Sequence, residues 1–201
     1  MRSRRVVNRR SVFLNVPFDK SYESLFVSLI SALVALGRVP RTVLEVPEQG
    51  AGRLMRILRL IRSCPISLHD LCRVGLPVRF NMPFELGIAV ALSRIDRRHR
   101  FVMLESERHR LQTTLSDVNG FDPGIHNSTV KGIISCALAH LATSRGNPDA
   151  RTVLRIRRKL WKTVPLLKRN HGRATIYSRP IFNELVKGAN LLAKGEGLIV
   201  A

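Results

Sequence analysis

Three scarcities limit what this chain of 201 residues can be. It has only three cysteines, an odd number without metal-type spacing, which predicts neither a disulfide framework nor a metal site. One Trp and two Tyr give little material for stacking on single-stranded nucleic acid. The longest apolar run, residues 25–36, is interrupted by serines and is shorter than the roughly 20 residues that cross a bilayer. We therefore expect a cytoplasmic protein without a membrane span or a signal peptide.

Acidic residues are also scarce: there are 14 against 34 Lys and Arg, and the net charge is +20. Residues 1–10 carry five Arg and no acid, and we expect a disordered arm there. Residues 151–201 carry 12 basic and two acidic residues, a net charge of +10. A field of this sign attracts nucleic acid, nucleotides or an anionic membrane, although a basic tail can also simply pack on a domain.

Several catalytic motifs are missing from the chain. It contains no Gly-x-Gly-x-x-Gly, no Gly-x-x-x-x-Gly-Lys-Ser/Thr and no Gly-x-Ser-x-Gly. Residues 49–52 form a Gly-containing loop before a helix, but no Lys accompanies them, and a flexible loop is the better interpretation. The pair His69-Asp70 is typical of metal-dependent phosphohydrolases, yet the other His and Asp ligands of that class are not recognisable. No metal is therefore predicted.

What the chain does have is an alternation of strand and helix patterns. The predicted strands are residues 11–16, 39–46, 64–71 and 100–105. The predicted helices are residues 22–36, 53–62, 81–91, 109–116, 128–141, 151–168 and 180–194, with a turn at 120–124. This order predicts an α/β fold, an open parallel sheet with helices on both faces. A boundary near residues 146–148 divides the chain into an arm (1–10), an α/β domain (11–145) and a basic helical C-terminal extension (146–201).

Three features fall at the carboxyl edge of the predicted sheet. They are residues 15–19 after the first strand, Asp70 after the third, and the start of the helix that contains Glu85. Ligands of open parallel sheets bind beyond this edge. Because the three segments are far apart in sequence and the fold brings them together, we expect a site there.

The helix that contains Glu85 begins with a favourable first turn. Pro83 suits that turn because its missing N–H would have no partner there, and Glu85 lies near the positive end of the helix dipole. Gly87 weakens a helix, which indicates a packing or functional reason for it. Glu85 serves either the dipole alone or a reaction.

The chemistry that these residue types permit is cleavage of an N-glycosidic bond. A carboxylate such as Glu85 stabilises an oxocarbenium-like sugar or attacks its anomeric carbon. A second acid, Asp70 or Asp19, can orient a ribose hydroxyl or handle a proton. Three aromatic rings can stack on a base or simply fill the core: Phe18, Phe80 and Phe84.

These residues carry a resemblance to a known family. The segments Val16-Pro17-Phe18-Asp19, Leu68-His69-Asp70-Leu71 and Asn81-Met82-Pro83-Phe84-Glu85-Leu86-Gly87-Ile88-Ala89 resemble bacterial TIR-like domains and, more distantly, nucleoside 2-deoxyribosyltransferases. The resemblance covers about residues 11–142. It implies a flavodoxin-like fold with Glu85 as the catalytic carboxylate. It also implies a nucleoside or dinucleotide pocket lined by Asn15, Pro17, Phe18 and Asp70.

One departure from the transferases bears on the substrate. They carry an acidic, Gly-containing loop before the Glu, whereas this chain has Arg79 and Asn81 there. An Arg suits a phosphate-bearing substrate such as NAD or a cyclic nucleotide, which disfavours deoxyribosyl transfer. Asp19, Arg79, Asn81 and Phe84 therefore join the predicted substrate-binding residues, and NAD is expected as substrate or ligand rather than as a cofactor.

The sequence thus predicts an NAD nucleosidase-like enzyme, which the resemblance associates with bacterial defence or stress signalling. Two alternatives stay open. One is a non-catalytic TIR-like module that senses a nucleotide or assembles with a partner, including a second copy of the chain. The other is nucleic-acid binding through residues 151–201.

Overall fold

The computed structural model describes residues 8–45, 52–73, 80–143 and 147–198. Its five strands are β1 Ser11–Asn15, β2 Val39–Arg41, β3 Ile66–Asp70, β4 Arg100–Glu105 and β5 Gly124–Ile125. Its seven α-helices in this part of the chain are α1 Glu23–Ala35, α2 Arg53–Ser63, α3 Asn81–Ile95, α4 Arg110–Thr114, α5 Val130–His140, α6 Ala150–Asn170 and α7 Arg179–Gly195. Short 3-10 helices cover Lys20–Tyr22, Val43–Glu45 and Ser116–Val118.

The strands form one parallel sheet in the order β2-β1-β3-β4-β5. This is the flavodoxin-like order, and it confirms the predicted α/β fold with a parallel sheet. The order in which successive strands are added to the sheet reverses between β1 and β3. At this switch point Asn15 of β1 pairs in register with His69 of β3. Loops leave these two strands toward opposite faces, and at such a point ligands of open parallel sheets usually bind in a crevice beyond the carboxyl ends of the strands.

Helices cover both faces of the sheet. One face carries α1 and α5, whose apolar residues pack on Leu14, Leu68 and Leu104 in the largest hydrophobic cluster. The opposite face carries α2, α3 and α4 in two smaller clusters around Phe13 and Met103. Because side chains alternate along a strand, neighbouring strand residues contribute to different faces.

The last two helices complete the larger hydrophobic cluster. Apolar residues of α6 and α7 share that cluster with α1, and the Lys168 ammonium forms an ion pair with Glu23 at 2.7 Å. Whether residues 146–201 are a separate extension stays a prediction, but their described helices are part of the main core. Of the helices that the structure describes, none combines the length and the apolar character needed to cross a membrane.

The second strand is shorter than residues 39–46, the predicted range, because a turn replaces its second half. The Glu45 carboxylate accepts hydrogen bonds from the Thr42 N–H at 2.6 Å and from the Arg41 guanidinium at 2.8 Å. The Leu44 N–H donates to the Thr42 hydroxyl. These local bonds favour a 3-10 turn over an extended backbone. Val46 lies outside the described residues.

The predicted turn at residues 120–124 also needs a correction, because Gly124 and Ile125 form the edge strand β5. They pair with Leu104 and Glu105 of β4. Gly124 has a packing reason, since a Cβ there would lie 2.9 Å from the Leu104 side chain. The packing reason predicted for Gly87 is wrong for the part of the chain that the structure describes: this residue is exposed, and a Cβ there would meet open space.

The two helical glycines Gly132 and Gly87 predict opposite effects of the same substitution. A Cβ on Gly132 would lie 2.0 Å from the His126 carbonyl oxygen, so Gly132→Ala is expected to destabilise the protein by more than about 2 kcal/mol. Gly87→Ala is expected to stabilise it by about 0.5–1 kcal/mol through helix propensity. Urea unfolding of both variants measures this, and equal effects would contradict the packing at Gly132.

Candidate functional site

Asn15 ties the carboxyl end of β1 to the first turn of α3. Its side-chain amide donates to the Met82 carbonyl at 3.0 Å and lies 3.0 Å from His69 Nδ1. Since the amide nitrogen is the donor, His69 Nδ1 accepts and Nε2 carries the ring proton. That Nε2 is buried and has no hydrogen-bond partner among the described residues. Burial, with a smaller contribution from His99, lowers the pKa of His69 to about 3, so the ring is neutral.

Glu85 lies in the first two turns of α3 and is 5% exposed. Burial raises the pKa of its carboxyl to about 7, although the charge of Arg53 on α2 and a hydrogen bond with Asn81 act in the opposite direction. Glu85 is therefore a carboxyl group that is held close to the balance between its acid and base forms at neutral pH.

Two exposed rings lie at the start of α3, close to Glu85 in sequence. Phe80 is 78% exposed and Phe84 is 56% exposed, and they are four residues apart. Asn81 is exposed as well. Rings in this position are accessible to a base or another flat ligand. Arg79, the predicted phosphate-binding residue, lies outside the described residues.

Asp70, the last residue of β3, is fully buried and heavily hydrogen-bonded. Its carboxylate accepts from the Tyr22 hydroxyl, from the Cys72 N–H at 3.1 Å and from His126 Nε2 at 3.2 Å. His126 Nδ1 accepts the Ser128 N–H at 3.1 Å, which places the ring proton on Nε2. Burial alone would raise the pKa of Asp70, but the bonds from His126, Tyr22 and Cys72 outweigh it and lower the pKa.

Asp70, Cys72 and His126 are close enough to suggest a metal site, since their ligand atoms lie within 4.8 Å of one another. Metal binding requires a thiolate and free carboxylate oxygens. Burial and the charge of Asp70 raise the pKa of Cys72, so the thiol holds its proton, and the Asp70 oxygens already accept several hydrogen bonds. Asp70, the Cys72 N–H and His126 thus form a buried hydrogen-bond network, and the absence of a metal here stays a prediction.

Residues after β1 are held by contacts within the protein. Asp19 caps the 3-10 helix at the Tyr22 N–H and forms an ion pair with Arg73 at 3.1 Å. Burial acts to raise the pKa of Asp19, but the Arg73 and Ser21 hydrogen bonds lower it. Pro17 is buried, and the half-buried Phe18 ring packs against Tyr177 at 5.1 Å. The structure therefore gives Phe18 a packing contact, and its predicted stacking on a base stays a prediction.

The structure brings the three predicted segments to one edge of the sheet but separates their two main acids. Asp70 lies on the same face of β3 as Leu68, which is the face covered by α1, and it contacts Tyr22 at the start of α1. Glu85 belongs to α3, which covers the opposite face with α2. Asp70 holds the segments after β1 and β5 on the α1 side through Tyr22 and His126, and Glu85 is the ionisable group on the α3 side. The predicted catalytic roles of Asp70 and Glu85 stay predictions.

Three residues of this region were missed by sequence reasoning: Tyr22, Arg73 and His126. The sequence predicts Tyr22 only as the first residue of a helix, and Arg73 belongs to none of the predicted strands and helices. His126 follows a strand of two residues, which is too short for any periodic pattern to reveal. All three are recognisable only through contacts with residues about 50 positions away, Asp19 and Asp70.

No family model matches the chain, and no significant match was found among curated proteins or solved structures. What the fold and the site define is a protein class, an α/β protein with a flavodoxin-like parallel sheet and a carboxyl group at its switch point. The resemblance to TIR-like domains and deoxyribosyltransferases remains a prediction from the quoted motifs.

Glu85 predicts a pH-dependent effect of Glu85→Gln on stability. The folded protein holds the Glu85 proton up to about pH 7, whereas the ordinary pKa of a glutamate carboxyl is 4.5. The wild type therefore loses stability as the pH rises from 4.5 through 7, by up to about 3 kcal/mol. Since Gln does not ionise, the variant should match the wild type near pH 5 and be more stable by about 2–3 kcal/mol near pH 8.

The measurement is urea unfolding at both pH values. Asp117→Asn is the control, since Asp117 is exposed and the same kind of amide replaces the acid. A Glu85→Gln effect that is independent of pH would show that Glu85 is not held in a raised-pKa environment.

The hydrogen bonds of Asp70 predict that Tyr22→Phe lowers the free energy of unfolding more than Tyr177→Phe does. Tyr22 donates to a buried carboxylate, and losing such a bond costs about 1.5–3 kcal/mol. Tyr177 donates to the neutral Asp19 carbonyl, where about 0.5–1.5 kcal/mol is expected. Because the pKa of Asp70 is lowered, its stabilisation is present above the unfolded-state pKa and is lost as the pH falls. Chemical unfolding at neutral and acidic pH tests this, and equal costs for the two variants would contradict it.

Proposed function

We propose that this protein is a nucleotide N-glycosidase, with NAD or a related nucleotide as substrate and Glu85 as the catalytic carboxylate. One observation carries the proposal: a buried carboxyl group with a pKa of about 7 lies at the switch point of a flavodoxin-like sheet. Strongly shifted acids in a crevice are typical of active sites, because catalysis needs groups matched to the operating pH.

The proposed reaction breaks the bond between the ribose anomeric carbon and the nicotinamide nitrogen. The bonding electrons leave with nicotinamide, which departs neutral, and positive charge develops on the ribose. The Glu85 carboxylate stabilises that charge or bonds to the anomeric carbon. Water then adds to the anomeric carbon and releases one proton, giving ADP-ribose and nicotinamide.

The surroundings of Glu85 support a substrate that combines a flat ring with phosphates. Phe80 and Phe84 expose their rings at the start of α3, the helix that carries Glu85. Asn81 contributes an amide, and Arg79 is the predicted phosphate partner. Asn15, Pro17 and Asp19 would form the β1 side of the crevice, with Asp70 holding that side in place.

One observation favours a second candidate, a module that senses a nucleotide or assembles with a partner without turnover. Glu85 is 5% exposed and under the influence of Arg53 on α2, so little of its carboxyl group is accessible to a ligand in this conformation. A module of this kind would bind a nucleotide at the Phe80 and Phe84 rings and leave it intact.

The test is nicotinamide release from NAD by the purified full chain over a pH series. Because a carboxylate is needed to stabilise the cation, kcat/KM of the free enzyme should rise with pH through about 7. Glu85→Gln should lower kcat by roughly 10²–10⁴-fold. Asp117→Asn, at an exposed position, should leave it unchanged.

Two outcomes would decide against catalysis. If the wild type releases no nicotinamide in any oligomeric state, or if Glu85→Gln releases as much as the wild type, Glu85 is not a catalytic carboxylate. Calorimetry separates the second candidate: nucleotide binding that survives Glu85→Gln without product formation identifies a sensing module.

A further inference from the structure

Helix α6 contains no acidic residue, although it is 21 residues long. Its buried side, which includes Val153, Ile156 and Leu160, packs into the core with α1 and α7. At about 100° per residue, the side opposite to these residues carries a line of cations. We call this line the basic stripe, and it consists of Arg151, Arg158, Lys162 and Arg169, all exposed.

The four cations share one side of the helix. Spacings of seven, four and seven residues return to the same side of a regular helix, and 18 residues extend for about 27 Å, with Pro165 inside the helix between Lys162 and Arg169. In the described part of the chain, no acidic side chain pairs with any of the four. Nearby Arg155 and Lys159 do have a partner, because both contact Glu196 at the end of α7.

This arrangement is unfavourable for an isolated helix. Arg158 and Lys162 are like charges four residues apart, which costs a few tenths of a kcal/mol. Arg151 lies in the first turn, where the helix dipole disfavours a cation. A helix surface that contacts only water needs neither the like-charged pair nor the cation in the first turn, since interspersed acids would keep that surface hydrated and stabilise the helix. An anionic partner along the stripe would offset both.

The chemistry of the stripe distinguishes between anionic partners. A helix that lies on a membrane needs a free apolar side, but the apolar side of α6 is used in the core. The aromatic ring of α6, Trp161, is half-buried under the Arg157 guanidinium and offers no open stacking surface for single strands. Double-stranded nucleic acid is the partner that this chemistry favours, because the four cations extend over the length of about eight base pairs and can bind phosphates along it.

We propose that the basic stripe of α6 binds the phosphate backbone of double-stranded nucleic acid without reading its sequence. This proposal does not depend on Glu85. Deleting residues 151–201 is unsuitable as a test, because α6 and α7 are part of the main hydrophobic cluster. Point substitutions on the exposed side of α6 leave that cluster intact.

The test measures duplex affinity of the full chain against salt concentration by fluorescence anisotropy. Four phosphate contacts predict a log–log slope of about −3.6, so binding should weaken on the order of 100-fold between about 50 and 200 mM salt. The stripe variant carries Arg151→Gln, Arg158→Gln, Lys162→Gln and Arg169→Gln. It should lose most of that slope and bind at least about 100-fold more weakly at low salt.

The matched control removes the same charge elsewhere, with Arg59→Gln, Arg62→Gln, Arg94→Gln and Arg97→Gln, all exposed positions outside α6. It should retain the slope and lose less than about tenfold in affinity, through the weaker general field. Helix content and urea unfolding establish that both variants fold. DNA and RNA duplexes of one sequence are run in parallel, and binding of either through the stripe supports the proposal.

Three outcomes would overturn the proposal. The first is a wild type that does not bind duplex more tightly than about 10⁻⁴ M at low salt. The second is an equal loss in both variants, which would show that only net charge matters. The third is tighter binding to vesicles of equal phosphatidylcholine and phosphatidylserine than to duplex, which would assign the stripe to a membrane surface.

Discussion

The hydrogen bonds to the buried Asp70 carboxylate are the interaction on which the arrangement of this edge of the sheet depends. It lies at the end of β3 and accepts hydrogen bonds from the start of α1, from its own loop and from the residue after β5. A charge in a fully buried position is costly unless each of its oxygens is hydrogen-bonded. Removing one donor leaves that cost uncompensated, so the three segments keep their positions together.

The sheet divides the electrostatics of the molecule into two parts. On the α1 side, Asp70 is ionised and held by donors. On the α3 side, Glu85 has few donors and retains its proton up to about pH 7. Two carboxyl groups at the same sheet edge therefore differ in protonation because their surroundings differ, which is the usual physical basis for dividing acid and base roles. Asn15 lies on the α3 side, where its contacts with His69 and the Met82 carbonyl join the ends of β1 and β3 to the start of α3.

The elements that periodicity could identify are those with long or strongly alternating patterns. The helix around Leu25–Leu36 and the strand before Asp70 were predicted because their apolar spacing is complete. β5 was missed because two residues carry no period, and β2 was overextended because the Glu45 side chain, rather than the apolar pattern, ends it. The position of the site at one edge of the sheet follows from the predicted strand ends and from the start of the Glu85 helix. The sequence does not predict the donors to Asp70, because His126 and Tyr22 contact it only in the folded tertiary structure.

Helix α1 has a consequence for how the chain folds during synthesis. Eleven of its 13 residues are buried, and much of the surface that covers them belongs to α6 and α7. These helices begin more than 100 residues after α1 ends, so α1 leaves the ribosome long before its cover exists. Until then, the nascent chain exposes an apolar surface, which favours aggregation. The packing of α1 therefore waits until α6 and α7 have been synthesised, and a ribosome stalled before residue 150 would present α1 as a substrate for chaperones.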